Sequence, residues 1–326
     1  MITYPNVKVN LGLNVLRRRP DGYHDIETLF VPYFGMTDVL EIVPADEFSI
    51  RITSSKPGIP DWDPMSDLCA KAWRLMNERF GVGPVAVLLE KRNPVGGGLG
   101  GGSSDGAFTL KMLNEIFSLD LAVTELASLA AELGSDCPFF IYNRPMIGEG
   151  RGEILSEFDL PDIDLGGETS YGRSNLCSNS DSVSQARAAK ELTDGIGNGY
   201  RLGVIALDSS LKVSTAQAYR SITPSIPEIS LRDALSHDIT QWHGLLKNDF
   251  EPVISAAHPL VRETIEACYA RGCVYAAMSG SGPSVYYIDK KDKNRPSAHF
   301  YVCFLQAYIK KKKIYKKRNW WRNALM

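Results

Sequence analysis

Cysteine is scarce in this chain: 6 of 326 residues, spread out, with no C-x-x-C pair. That excludes a disulfide framework and a zinc site of ordinary ligand spacing. Histidine is scarcer still, 5 in all, and never forms H-E-x-x-H, so no metal centre is expected. Long apolar runs are also missing. The longest, Ala298 to Ile309, has 12 residues and includes His299 and Gln306, whereas a membrane span needs about 20. The opening Met1-Ile2-Thr3-Tyr4-Pro5 lacks the basic-then-apolar layout of a signal peptide. No membrane span and a reducing, cytoplasmic setting are expected. The net charge of −2 gives no overall attraction for a polyanion, so no nucleic-acid partner is expected.

What remains is an ordinary globular composition, 44% hydrophobic and 23% charged, at a length that suggests roughly two domains. Charge is uneven. Residues Asp289 to Met326 carry 12 Lys/Arg against 2 Asp/Glu, leaving an acidic body ahead of a basic tail. Within that tail, Lys310-Lys311-Lys312-Lys313 and Trp320-Trp321-Arg322 interleave charge with aromatics, a pattern read here as a solvated terminus.

Val7, Val9, Leu11, Leu13 and Val15 alternate with Lys8, Asn10, Gly12 and Asn14. Period two predicts a strand with one buried and one polar face, Lys8 and Asn10 pointing the same way. An Asp21-Gly22 turn precedes Tyr23 and His24. Further strands are predicted at Thr28–Phe34, Val39–Val43, Val85–Glu90, Phe139–Tyr142, Leu202–Leu207 and Val274–Ala277. Helical spacing marks Leu68–Phe80, a helix after Asp105, one from Thr124 to Leu133, Thr215–Arg220, Leu231–Leu235 and Val261–Ala270.

The least ordinary segment is Pro94-Val95-Gly96-Gly97-Gly98-Leu99-Gly100-Gly101-Gly102-Ser103-Ser104-Asp105. Glycines let backbone N–H groups close around phosphate oxygens, and a following helix adds its dipole. A flexible linker is the alternative, but linkers rarely join a strand to a patterned amphipathic helix. Gly96-x-Gly98-x-x-Gly101 satisfies a dinucleotide fingerprint, yet Lys91 to Val95 separate it from its strand. The Walker pattern requires a lysine that this loop lacks. Charge must come from elsewhere, with Lys8 the candidate cation and Asp136 a candidate acceptor of a hydroxyl proton.

These residues resemble the GHMP kinases, which phosphorylate small-molecule alcohols with ATP. Val7-Lys8-Val9-Asn10, Arg19-Pro20-Asp21-Gly22-Tyr23-His24, Gly134-Ser135-Asp136-Cys137-Pro138-Phe139-Phe140, Val213-Ser214-Thr215-Ala216-Gln217-Ala218-Tyr219, Asn248-Asp249-Phe250-Glu251 and Met278-Ser279-Gly280-Ser281-Gly282 occur in that family's order. Asp-Gly-Tyr-His with Val-Ser-Thr is similar to the branch acting on a cytidine diphosphate sugar alcohol in non-mevalonate isoprenoid precursor biosynthesis. A homoserine, mevalonate or sugar kinase is the alternative within the family. A catalytically impaired relative acting through the basic tail is the alternative outside it.

The resemblance implies an α/β fold (α+β, two-layer) of two domains with the active site in the cleft between them. It divides the chain into an ATP-binding domain 1–163, a Gly/Ser-rich insertion or loop 164–200, a second domain 201–288 and the basic tail 289–326. It implies Asp136 as catalytic base with Lys8 beside it. Asn10 and Thr215 would contact the substrate, Tyr23 and Tyr219 would sandwich the cytosine, and His24 would hydrogen-bond the base's edge. Pro94, Val95, Gly96, Gly97, Gly98, Leu99, Gly100, Gly101, Gly102, Ser103 and Ser104 would wrap the phosphates of ATP. Lys91 and the Asp67-Leu68 region would lie near the adenine, with Asp67 standing where an asparagine is expected. Mg²⁺ would accompany ATP, and a monomer or homodimer is expected.

Overall fold

The computed structural model describes residues 1–54, 62–166, 199–207 and 215–291. Most of the 164–200 insertion, Val213-Ser214 and the basic tail beyond residue 291 lie outside the described residues.

Strands β1 (Ile2–Thr3), β2 (Asn6–Arg18), β3 (His24–Thr37), β4 (Val39–Pro44), β5 (Ser49–Ser54) and β6 (Val85–Lys91) come from the first third of the chain. Later come β7 (Met146–Glu149), β8 (Ile154–Glu157), β9 (Ile163–Asp164), β10 (Tyr200–Ile205), β11 (Tyr275–Met278) and β12 (Val285–Lys290). Among the described residues they form three four-stranded sheets, ordered β1-β4-β6-β5, β2-β3-β7-β8 and β11-β12-β10-β9.

Helices α1 (Leu68–Phe80), α2 (Gly101–Ile116), α3 (Val123–Leu133) and α4 (Cys137–Tyr142) pack with the first sheet. Val85, Val87 and Leu89 alternate on β6 and meet Met76 of α1, Leu110 and Leu113 of α2 and Phe139 of α4 in one core. Each helix buries the stripe that its 3.6-residue period creates. Helices α5 (Thr215–Arg220), α6 (Leu231–Ser236), α7 (Glu251–Ala257) and α8 (Pro259–Ala270) serve the C-terminal half. Two further cores join the long β2–β3 hairpin to that half. Val7, Val9 and Leu11 pack with Leu235, Trp242 and Tyr286, and Leu13 and Val15 pack with Phe250, Val261 and Tyr287. The α+β layering expected from the sequence is present.

Three local expectations change. Residues 139–142 form helix α4 rather than a strand: Pro138 in its first turn and Asn143 in the left-handed region bracket it. Helix α3 starts at Val123, not at Thr124, because the Glu125 carboxylate accepts the Ala122 N–H at 2.8 Å. Most consequential, β2 is buried on both faces from Asn6 to Leu13 and on to Val15, so its polar side chains are inside. A buried lysine or asparagine must find partners. Those partners define the site.

Candidate active site

Lys8 and Asn10 do share a face of β2. Lys8 Nζ donates to Asn10 Oδ1 at 2.6 Å, Asn10 Nδ2 donates to Thr28 Oγ1 at 3.1 Å, and Thr28 Oγ1 donates to the Gly12 carbonyl at 2.5 Å. The last acceptor is available because β2 bulges against β3 between Leu11 and Leu13. The Lys8 Nζ lies over the Phe30 ring, 4.8 Å from its centroid. Its ammonium, only 5% exposed, stands 3.3 Å from Asp136 Oδ2. Asp136 precedes α4 but makes no capping hydrogen bond with its side chain, which leaves the carboxylate directed to Lys8 and 35% exposed. One partner is locked and the other is open to an arriving group.

That opening is a cavity of about 870 Å³, lined by Asp136, Arg18, Tyr23, His24, Arg151, Thr215, Tyr219 and Arg220 among others. The Asp21 carboxylate accepts the Tyr23 N–H at 3.0 Å and the Arg19 guanidinium at 3.0 Å, fixing the turn that presents Tyr23 and His24. His24, not Tyr23, stacks on Tyr219, with centroids 4.9 Å apart and planes at 21°. Tyr219 in turn meets Phe250 edge-on. Tyr23 lines the cavity but is 56% exposed, with the Arg151 guanidinium 5.1 Å over its ring. Burial, helped by the charge of Arg18, holds His24 below the usual imidazole range, so at neutral pH one ring nitrogen donates and the other accepts. Burial and the nearby Asp136 charge push the Tyr219 phenol up to about 12, leaving it neutral. Thr215 Oγ1 lies 3.0 Å from Ser281 Oγ, tying α5 to the second glycine cluster.

A second cavity, about 320 Å³, is walled by the glycine loop from Pro94 to Ser103 together with Trp62, Asp67, Leu68, Lys91 and Asp105. Helix α2 begins at Gly101, so Ser103, Ser104 and Asp105 lie within its first turns rather than ahead of it, and no side chain caps its first amides. Gly96, Gly98 and Gly100 are all left-handed, alternating with Gly97 and Leu99, which curls the backbone. Asp67 caps α1 by accepting the Cys69 N–H at 2.9 Å. The Lys91 ammonium does not point to solvent. It is buried against Asp38 and against Asp105 Oδ2, the latter at 2.5 Å. Burial alone would lower the Lys91 pKa, but the two carboxylates outweigh it and raise it, so the charge is kept.

Lys8 links residues of the two cavities: it pairs with Asp136 of the first, its own N–H donates to the Leu99 carbonyl of the second at 2.9 Å, and its Cε would lie 3.1 Å from a Cβ on Gly100. The second glycine cluster supports the first from behind. Ser279 Oγ accepts the Asn10 N–H at 3.2 Å and donates to the Gly98 carbonyl at 3.1 Å, while Ser284 N–H reaches the Gly97 carbonyl at 3.3 Å. A Cβ on Gly98 would meet Ser279 O at 2.4 Å. Gly98→Ala is therefore expected to distort the loop, since a left-handed alanine alone costs about 1–2 kcal/mol and the clash is with backbone. Steady-state kinetics should show a raised KM for ATP.

Two family models match the chain. The model described as "GHMP kinases N terminal domain" matches residues 67–144, and "GHMP kinases C terminal" matches 230–303. A 4-diphosphocytidyl-2-C-methyl-D-erythritol kinase of Bacteroides fragilis is 36% identical over 93% of this chain and 97% of its own length. The chain belongs to that kinase family. A crystal structure of a 4-(cytidine 5'-diphospho)-2C-methyl-D-erythritol kinase superposes with a TM-score of 0.65 at 27% identity, covering 94% of this chain and 96% of its own. A homoserine kinase from Cytophaga hutchinsonii shares the fold, at 16% identity and TM-score 0.58, over 92% of this chain and 89% of its own. The protein is an ATP-dependent small-molecule kinase of α/β architecture. Among its described residues no helix is long and apolar enough to cross a membrane.

Lys8, Asn10, Asp136, Tyr23, His24, Thr215 and Tyr219 thus line or adjoin one cavity, and the glycine loop with Lys91 lines the other. Sequence reading missed Arg18, Arg151 and Arg220. Arg18 ends β2 just ahead of the Asp21-Gly22 turn, but Arg151, in the β7–β8 connection, has no local signal and arrives only through sheet pairing. It also missed Trp62 and the buried carboxylates Asp38 and Asp105 that hold Lys91.

Proposed function

We propose that the protein transfers the γ-phosphoryl group of ATP to the 2-hydroxyl of 4-diphosphocytidyl-2-C-methyl-D-erythritol, giving the 2-phosphate in non-mevalonate isoprenoid precursor biosynthesis. The observation that carries this reading is the Lys8–Asp136 pair, opening into a cavity that also holds Tyr23, His24 and Tyr219. Asp136 accepts the hydroxyl proton as phosphorus is attacked, and Lys8 stabilises the oxygen anion that forms. Asn10 holds the Lys8 ammonium and, with Thr215, the sugar alcohol.

Tyr219 and Tyr23 flank the cytosine, and neutral His24 hydrogen-bonds its edge, which distinguishes cytosine from other bases. Arg18, Arg151 and Arg220 around the cavity match the charge of the diphosphate. The backbone of Pro94, Val95, Gly96, Gly97, Gly98, Leu99, Gly100, Gly101, Gly102, Ser103 and Ser104 binds the ATP phosphates, with Lys91, Asp67 and Trp62 toward the adenine.

Mg²⁺ belongs to the same reading. Among the described residues no cluster of three or more His, Cys, Asp or Glu forms a cage, and the Ser104 hydroxyl is buried without a partner. That donor set fits an ion held mainly by phosphate oxygens, with Ser104 Oγ the nearest protein ligand in character. The ion would neutralise phosphate charge. Among the described residues Cys69, Cys137, Cys268 and Cys273 are buried and form no disulfide, which supports a cytoplasmic location.

The test is ADP release from Mg-ATP with the cytidine compound, homoserine and mevalonate in parallel. Turnover with the cytidine compound alone is expected, and turnover with either of the others in its place would overturn the assignment. Tyr219→Ala should raise KM for the cytidine substrate by about 10- to 100-fold, the worth of one base–aromatic stack. KM for ATP should stay unchanged; a parallel rise would remove Tyr219 from the base-binding wall.

A further inference from the structure

Beneath the glycine loop lies a buried ion triad that no catalytic step uses. Lys91 ends β6, Asp38 occupies the junction between β3 and β4, and Asp105 sits one turn into α2. Lys91 Nζ lies against a carboxylate oxygen of each acid, with Asp105 Oδ2 at 2.5 Å. Asp38, fully buried, also accepts the N–H groups of Arg92 at 2.6 Å and Asn93 at 2.8 Å. One carboxylate therefore holds three consecutive residues at the entry to the loop. Through Lys91, the other carboxylate holds the helix that the loop leads into.

Fold stability does not require this arrangement. Burying one cation and two anions costs desolvation that apolar packing would avoid. The placement explains it better. Both Lys91 and Asp105 contribute to the wall of the 320 Å³ cavity formed by the glycine loop. A Cβ on Gly101, the first residue of α2, would lie 3.7 Å from Lys91 Nζ and 3.8 Å from Asp38 Oδ2. The remaining Asp105 oxygen, Oδ1, and the neighbouring Asn93 Nδ2 and Ser104 Oγ are buried without partners. Side chains that are over-fixed at one end and unfulfilled at the other are organised around the loop rather than around themselves.

We infer that Asp105 and Asp38 are positioning residues: through Lys91 they fasten the two ends of the glycine loop together and set the aim of its amides at the nucleotide phosphates. The inference rests on the glycine loop being the nucleotide site, as proposed above, and extends it to two carboxylates that take no part in the chemical step. A loop whose two ends are free to separate loses the convergence of its N–H groups, and phosphate affinity falls before any chemical step is affected.

The experiment compares wild type, Asp105→Asn and the double variant Lys91→Met/Asp105→Leu. Its readouts are ADP affinity by calorimetry, KM for ATP, KM for the cytidine substrate, kcat and melting temperature. Asp105→Asn is expected to weaken ADP and raise KM for ATP by about ten-fold or more, as loss of one charge-assisted contact implies. KM for the cytidine substrate and kcat at saturating ATP stay near wild type. The double variant leaves Asp38 with its two backbone N–H donors but without its cation, so a lower melting temperature is expected beside the shared nucleotide defect, and ADP affinity is read well below that temperature. Wild-type ADP affinity in a folded double variant would overturn the inference, as would equal losses toward both substrates. Because ADP affinity needs no second substrate, failure of the wild type to use the cytidine compound would sink the proposed substrate while leaving this test in force.

Discussion

Asp136→Asn should lower kcat by about three orders of magnitude, within the range for loss of a positioned general base. Asparagine keeps the shape of the side chain but cannot take a proton. The substrate hydroxyl would have to lose its proton to water while attacking phosphorus, in a cavity where Asp136 is the one carboxylate among the described lining residues, beside Arg18, Arg151 and Arg220. Structure should survive the change. The Asp136 side chain makes no capping hydrogen bond to α4, and Lys8 retains Asn10 Oδ1 at 2.6 Å. ADP affinity, governed by the other cavity, should be that of the wild type. Stopped assays of ADP release together with calorimetry would check both halves, and near-normal turnover would remove Asp136 from the role of base.

Lys8→Met should reduce kcat by about 10²- to 10³-fold, the usual cost of losing one preorganised charge at a developing oxyanion. Methionine follows the lysine stem toward the Phe30 ring, so packing is largely retained. What is lost is the ammonium between Asp136 and Asn10. Asn10 Oδ1 is then buried without its donor, which should cost about 1–3 kcal/mol of stability. A melting curve separates that effect from catalysis, because the enzyme's activity at a temperature where both proteins are folded reports chemistry alone. Lys8→Arg should not restore the rate. The lysine Cε already stands close to Gly100, and a guanidinium needs more room there. If only KM for the cytidine substrate moved, Lys8 would be a binding contact and not part of the chemistry.

Much of the fold was legible because its signals are local. The alternation of Val85, Val87 and Leu89, the apolar stripe of α1 and the Gly81 stop each depend on a few neighbouring residues. Residues 139–142 misled because a short, wholly apolar run has no period to distinguish strand from helix. The polar face of β2 misled for a different reason. Alternation marks one buried and one polar face, and the structure buries the polar one too, with Lys8 beside Asp136. The glycine loop could be recognised from composition, but its supports could not. Ser279 lies 181 residues from Gly98, and Asp38 lies 53 from Lys91. Such partners become neighbours only through topology. The His24–Tyr219 stack is likewise a product of the assembled cavity, which no spacing in the sequence contains.

The two glycine clusters lean on each other across the chain: Ser279 and Ser284 hold Gly98 and Gly97, and Asn248 Nδ2 holds the Met278 and Gly280 carbonyls at 2.8 and 2.9 Å. During synthesis on the ribosome, the glycine loop proposed to meet the nucleotide emerges about 180 residues before the serine that shapes it. A nascent chain released early carries every glycine of the loop and yet lacks its mould. On the proposed reading of the loop, nucleotide binding is acquired late, when the last third of the polypeptide has folded back.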